Sequence, residues 1–479
     1  MKRHLVLFAA VALAVGATPA QVPGGDPVHT DNMRHVGTVT WDDQWRTDDG
    51  RKIDTLGGTD VEFATIVDEA TGEARDYAFA GTYRNGLQVV DITDPETATR
   101  VATYDCQIMQ GDVQVFRHPT AGWLASYTAD SGYNQWHSTC HDDAGVSGGD
   151  VGSFLVDVND PTAPVAVAFV PFEGGSHNQT VHPDGTHLYN SRSDSAGVLE
   201  IADITDLDAV RFTTLDIGRD DSHDITFRAD GERAYSAALD HSVIIDTVDP
   251  SNPRIVADIV DPAVTLHHQA DPVRIGDRDF LVINDELAGA AGNEFCPGGG
   301  LHVYDITDEA NPEKVGAFFI PEATVAEGAR TGAGGAITCT SHVFRMYEEE
   351  ELLTIAWFGA GVRVVDLSGL GDTPPVSAGV LGETLTPGMR EIGFWRDPVD
   401  SDAWAAKVFE FDEDGSAYIF SNDQTRGLDI FRFEADAPEA SSSNGQWLSP
   451  AAALQRTLDL RAAGFEGLDR PYCDLRGRL

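Results

Sequence analysis

The sequence predicts an all-β protein: a seven-bladed β-propeller closed by an N-terminal strand and followed by a short C-terminal helical tail. Three observations carry this. An apolar phrase running into an aspartate occurs six times, led by glycine in five copies and by His241 in the other, with a seventh half-copy. Each copy follows two further strand-like runs, giving four strands per unit. The 479 residues include 48 Gly but 5 Met, a composition suited to many short strands and tight turns.

The elements follow in chain order. Lys2, Arg3 and His4 precede an apolar run over 5–15, which is too short to span a bilayer. Small residues end it at Ala17 or Ala20. Residues 1–20 are expected to be a cleaved export signal. The mature chain is then secreted, periplasmic or cell-surface, without a membrane span.

The first phrase, GLQVVDITDP, occupies residues 86–95, and an apolar strand follows at 100–104. The phrase returns at 152–161, 197–206, 241–250, 300–308 and 361–368, with following strands at 164–169, 210–215, 253–259, 312–319 and 375–381. The key aspartates are Asp91, Asp157, Asp203, Asp246, Asp305 and Asp366, spaced between 43 residues (203 to 246) and 66 residues (91 to 157). Those intervals suit propeller blades with loops of varying length. Each carboxylate is expected to accept backbone N–H groups in the turn after it. The half-copy at 427–433 lacks a following strand, and residues 35–40 resemble residues 314–319. The N-terminal segment is therefore expected to pair beside 427–433 and remove an open sheet edge. Beyond a polar linker over 437–445, Ser449 and Pro450 form an N-cap signal for a short helix over 451–463 ended by Gly464.

These phrases resemble the LVIVD repeat of exported β-propeller proteins, over roughly residues 33–436, with 437–479 as linker and tail. The resemblance implies the fold and an extracytoplasmic address. It implies no reaction, because propellers host many unrelated functions.

Asp and Glu number 78 against 32 Lys and Arg, a formal charge of −46. Such a surface repels nucleic acid and anionic lipid and suits a soluble monomer in a salty habitat. The bland reading is a solvated acidic face; scattered calcium binding is the alternative. No nucleophile elbow, phosphate loop, dinucleotide fingerprint, His-Glu-x-x-His or Cys-x-x-Cys-His is present.

Histidine is the chemically informative residue. His177, His223 and His268 each stand at the start of an innermost strand, eight residues before a turn glycine (Gly185, Gly231, Gly276). His342 fits the same register with Glu350 at that offset. Equivalent positions in a closed ring converge on one face of the axis, and neutral imidazole suits copper, zinc or iron(II). Asp60, Glu62, Asp112 and Gln114 lie near this register in the first two blades. Asp285 and Glu286 end a second strand on the same face. The carboxylates Asp60, Glu62, Asp112 and Glu286 could complete a ligand set or hold histidine N–H groups from behind. The competing reading is that each histidine hydrogen-bonds the next blade as part of the repeat's grammar. His118, His182, His187 and His241 fit turns and strand ends and are assigned no role.

Five cysteines remain. Export permits the disulfides Cys106–Cys140 and Cys296–Cys339, each pinning a long loop (130–151 and 286–299) that overhangs the histidine face, and leaves Cys473 unpaired. Alternatively Cys140, between His137 and His141, is a soft-metal ligand. Two functional classes follow. One is a scaffold presenting its looped face to a protein or small ligand. The other is a His-ligated metalloenzyme, an oxidase or hydrolase, loosely similar in fold and histidine placement to selenium-binding propellers of the methanethiol-oxidase type.

Overall fold

The computed structural model describes residues 26–41, 57–68, 71–108, 110–130, 136–172, 174–192, 197–287, 298–324, 339–373, 388–398, 400–435 and 445–463. The export segment and Cys473 lie outside them.

Seven antiparallel sheets follow one another in chain order. From innermost strand outward, blade 1 is Gly58–Val67, Ala74–Thr82, Leu87–Asp91 and Thr99–Tyr104. Blade 2 is Val113–His118, Gly122–Ala129, Gly152–Asp157 and Val165–Pro171. Blade 3 is Asn178–Val181, His187–Ser191, Val198–Asp203 and Arg211–Asp216. Blade 4 is Asp224–Phe227, Arg233–Ala238, His241–Asp246 and Arg254–Ile259. Blade 5 is His267–Ile275, Arg278–Asp285, Leu301–Asp305 and Glu313–Phe319. Blade 6 is Phe344–Tyr347, Leu352–Ala356, Val362–Asp366 and Arg390–Arg396. Blade 7 is Ala403–Phe411, Ala417–Asp423 and Gly427–Phe433, completed by Met33–Val39.

The repeat phrase forms the third strand of blades 1–6, and its aspartates do local work. Oδ1 of Asp91, Asp157, Asp203, Asp246, Asp305 and Asp366 accepts the backbone N–H two residues on, at 2.9–3.1 Å. Such bonds hold the chain in the turn that leads to the outer strand. Gly86 opens the phrase at φ 76°, and a Cβ there would lie 2.1 Å from the Tyr104 carbonyl oxygen. Apolar side chains alternating with these turns pack between neighbouring blades; Tyr189, Leu199 and Ile201 of blade 3 meet Ile225, Ala234 and Val243 of blade 4.

The predicted closure is present. Met33 pairs with Phe433, His35 with Phe431 and Val39 with Leu428. His35 Nε2 and the Thr38 hydroxyl both bond the Asp429 carboxylate, and Trp41 Nε1 donates to Asn422 Oδ1 at 3.0 Å. Deleting residues 26–41 would expose the full edge of Gly427–Phe433 and unseat the buried Met33 and Trp41. The expected outcome is a chain that aggregates, with no cooperative melt by circular dichroism.

One expectation is corrected. The outer strand of blade 6 is Arg390–Arg396, pairing Asp366 with Arg390 and Val362 with Trp395. It is not 375–381, whose residues lie outside those described. The true strand hides in the sequence because it buries a charge: Glu391 accepts from Arg363 Nη1 at 3.1 Å. Two pairings were also not anticipated. Val28–His29 adds to the outer edge of blade 6, and Gln446–Leu448 adds to that of blade 5. The C-terminal helix is Pro450–Ala462, with the Ser449 hydroxyl accepting from Ala452 N at 3.3 Å.

Candidate metal centre

The start of each innermost strand lies on the channel. There a cavity of about 270 Å³ is lined by all seven blades, including Asp60, Asp112, His177, His223, His268 and His342. The four histidines form a continuous arc, with ring centroids 4.5 Å (177 to 223), 4.2 Å (223 to 268) and 4.4 Å (268 to 342) apart. His342 then meets Phe358 and Trp404, each at 4.4 Å. All four imidazoles are buried.

Repeat grammar explains part of this arrangement. His223 Nδ1 bonds the His268 carbonyl at 2.9 Å, and His342 Nδ1 bonds the Trp404 carbonyl at 2.7 Å. In each case the partner is on the next blade. A carbonyl only accepts, so each Nδ1 carries the proton. Burial drives the pKa of His342 down to about 3 and those of His223 and His268 well below the ordinary value, so these rings are neutral at pH 7. Nε2 of His342 therefore bears a lone pair, and no hydrogen-bond donor among the described residues reaches it.

What faces that lone pair is a carboxylate. Glu286 directly follows the second strand of blade 5 and is fully buried. Its Oε1 lies 3.8 Å from His342 Nε2 and its Oε2 lies 3.8 Å from His268 Nε2. The three ligand atoms fall within 4.8 Å of one another. Two acceptors facing each other in a buried site call for a proton or a cation between them. Zinc-type ions sit roughly 2.0–2.2 Å from such ligands, so ligand atoms around one ion lie at most about 4.4 Å apart. Sub-ångström side-chain movement would meet that limit. Two imidazoles and one carboxylate are a donor set used by zinc and by iron(II).

The other predicted residues lie elsewhere around the channel. His177 has Gln110 Nε2 at 3.2 Å and Asp130 Oδ2 at 3.5 Å; with His223 it continues the arc beside the three-ligand group. Asp60 and Glu62 are paired with cations: Lys407 Nζ lies 2.6 Å from Asp60 Oδ1 and 2.8 Å from Glu62 Oε1, and Arg345 Nη2 lies 2.5 Å from Glu62 Oε1. Burial alone would raise Glu62, but Arg345 and Lys407 outweigh it and hold the carboxyl at about 2. Asp112 accepts from Gln179 N at 3.0 Å, and Gln114 lines the cavity. Lys407 and Arg345 escaped sequence reasoning. The signal available was a lone lysine within the apolar run of Ala403–Phe411.

Asp285, beside Glu286, bonds Leu266 N at 2.9 Å. Cys106 and Cys140 form a disulfide that ties the helix Thr139–Ala144 to the start of blade 2, so Cys140 is not a free thiolate ligand. Cys339 is disulfide-bonded, and its expected partner Cys296 lies outside the described residues.

Asp112 provides a pH test of the channel. Burial, reinforced by Asp60, raises its pKa from 3.8 to about 7. The folded value exceeds the unfolded one, so proton-linked stability is complete below about pH 4 and lost as pH rises through about 7. Asp112→Asn keeps an acceptor for Gln179 N and does not titrate. Its stability relative to wild type should climb by up to about 1.4 kcal/mol per pH unit between about pH 4 and 7, then level. Denaturant melts of both proteins across that range would show it; parallel pH profiles would refute it.

No protein-family model matches the chain, and no curated protein matches it. Among solved structures, the β-propeller domain of Cps50 (Swd1) from Myceliophteria thermophila is similar at a TM-score of 0.46 and 10% identity, over 79% of this chain and 98% of that one.

Proposed function

We propose that this chain is an exported LVIVD-type propeller that binds a divalent transition ion, zinc or iron(II) in class, through His268, His342 and Glu286. One observation carries the reading: the unprotonated Nε2 of buried His342, without a hydrogen-bond donor among the described residues, faces a buried carboxylate that also faces His268. Three protein ligands leave coordination positions open to water or substrate, and an ion so held can polarise a carbonyl or lower the pKa of bound water. His268 and His342 also line the channel cavity. A small polar molecule admitted there would meet Asp224, Gln269 and Asp271 as hydrogen-bonding groups.

The test is elemental analysis of untagged mature protein from metal-replete cells, with reconstitution by Zn²⁺ and by Fe²⁺ under nitrogen. Near-stoichiometric metal supports the reading. No uptake of either ion overturns it.

A second reading, a scaffold with a protein partner on the looped face, is favoured by the pinned segment 136–151. There the Cys106–Cys140 disulfide and a short helix present half-exposed Trp136, with the Arg84 guanidinium 5.1 Å from its ring centroid. Partner binding that survives His268→Ala but fails on Trp136→Ala would support this role.

A further inference from the structure

We infer that Arg456, on the C-terminal helix, is a positioning residue for the Glu286 arm of the metal centre. The inference rests on the metal-binding reading. The helix reaches blade 5 in two steps. Gln446–Leu448 pairs with the outer strand, Trp447 opposite Phe318. Ala453 is then buried, and the Thr457 hydroxyl donates to the Ala263 carbonyl at 2.8 Å.

Arg456 goes further inward. Nη2 donates to the carbonyls of Gly298 (2.7 Å) and Ala323 (2.6 Å), and the guanidinium lies 4.1 Å from the Phe319 ring centroid. Among the described residues no carboxylate lies within ion-pair distance of it. A part-buried guanidinium whose partners among the described residues are backbone carbonyls and a ring is costly for a mere anchor, which an apolar side chain could supply.

The carbonyls it holds belong to the wall behind Glu286. Gly298 N donates to the Ala323 carbonyl, and Gly299 N to the Thr340 hydroxyl at 3.0 Å. Gly299 packs so closely that a Cβ would lie 1.7 Å from the Asp285 carbonyl oxygen. That oxygen accepts from the Thr340 hydroxyl (3.0 Å) and the Ser341 hydroxyl (2.9 Å), and Asp285 N donates to the Gly300 carbonyl at 2.9 Å. Residues 340 and 341 lead directly into His342. The 298–300 segment thus fixes Asp285–Glu286 and His342 relative to each other, and Arg456 is its outermost clamp. Groups that orient ligands from outside typically affect metal affinity by about 10–100-fold.

Cobalt(II) titration of the full mature protein tests this, because its visible bands report ligand geometry as well as affinity. Arg456→Gln is expected to weaken Co²⁺ binding by about tenfold or more and to alter the bands. Arg456→Lys, which keeps the charge but loses the planar fork, should fall between and serves as the measured variant if the glutamine protein does not fold. Val408→Ala, a core change in blade 7, should lower the melting temperature and leave the cobalt spectrum unchanged. Wild-type affinity and bands in either Arg456 variant would overturn the inference. Failure of the wild type to bind cobalt would instead remove the metal centre itself.

Discussion

Glu286→Ala is expected to abolish stoichiometric metal binding while the propeller stays folded. The carboxylate is the shared point of the site, 3.8 Å from both His268 Nε2 and His342 Nε2. Without it two imidazoles remain, and the loss should exceed the ~10–100-fold typical of removing a group that only orients a ligand. His342→Ala and His268→Ala should be comparably severe. Their neighbours predict a gradient. The His223 ring lies 4.2 Å from that of His268, tilted against it, and bonds the His268 carbonyl, so His223→Ala should weaken binding indirectly and by less. His177 faces Gln110 and Asp130, and His177→Ala should retain the ion. Competition titration against a zinc chelator ranks these variants. Equal losses at all four histidines would mean a four-imidazole site. An unchanged His177→Ala beside a metal-free Glu286→Ala would establish the three-ligand arrangement. Circular dichroism melts separate ligand loss from unfolding.

Apart from the closing strand, read from its likeness to residues 314–319, what was legible in the sequence was what depends on short separations. The aspartates of the repeat bond backbone only two residues on, so a six-fold recurring Asp could be assigned a turn without knowing the fold. The histidine register was legible because three of the rings are a fixed distance from a turn glycine on their own strand pair, and His342 keeps the same offset with Glu350 in its place; Gly185, Gly231 and Gly276 do adopt positive φ. Which imidazoles would share a carboxylate was not. That depends on the chain after the second strand of blade 5 turning its glutamate between the rings of blades 5 and 6. Glu286 could be placed on the right face, but no local pattern selects His268 and His342 over His177 and His223. The channel cations were hidden for a related reason. Lys407 meets Asp60 across 347 positions and Arg345 meets Glu62 across 283. Such partners become neighbours only when the ring closes. The blade 6 outer strand was missed because Glu391 breaks its apolar face, and its compensating Arg363 lies 28 residues earlier.

Ring closure also sets the largest stability effect expected of a single substitution, at Lys407. The residue is 4% exposed and its ammonium lies between Asp60 and Glu62 of blade 1, while Arg345 of blade 6 takes the same oxygen of Glu62. Three blades are joined by four charges where the last blade meets the first. Burial would depress the lysine, but Asp60 and Glu62 outweigh it and hold its pKa above the ordinary value, so the side chain remains cationic at neutral pH. A buried ion pair adds little net stability over an apolar replacement, because desolvation consumes most of the attraction; removing one partner is different, since the other charge is left stranded. Lys407→Met should therefore cost about 3–5 kcal/mol. The origin of that cost is testable with a second substitution. Glu62 keeps Arg345 in the variant, whereas Asp60 loses its ion-pair partner. Adding Asp60→Asn to Lys407→Met should then recover more than half of the loss, although Asp60→Asn alone removes a native contact. That non-additivity marks two groups in direct contact. Denaturant midpoints of the wild type, both single variants and the double variant measure it. If Lys407→Met costs less than about 1 kcal/mol, or if the two substitutions add, the lysine does not neutralise the blade 1 carboxylates and the seam must be held by the paired strands alone.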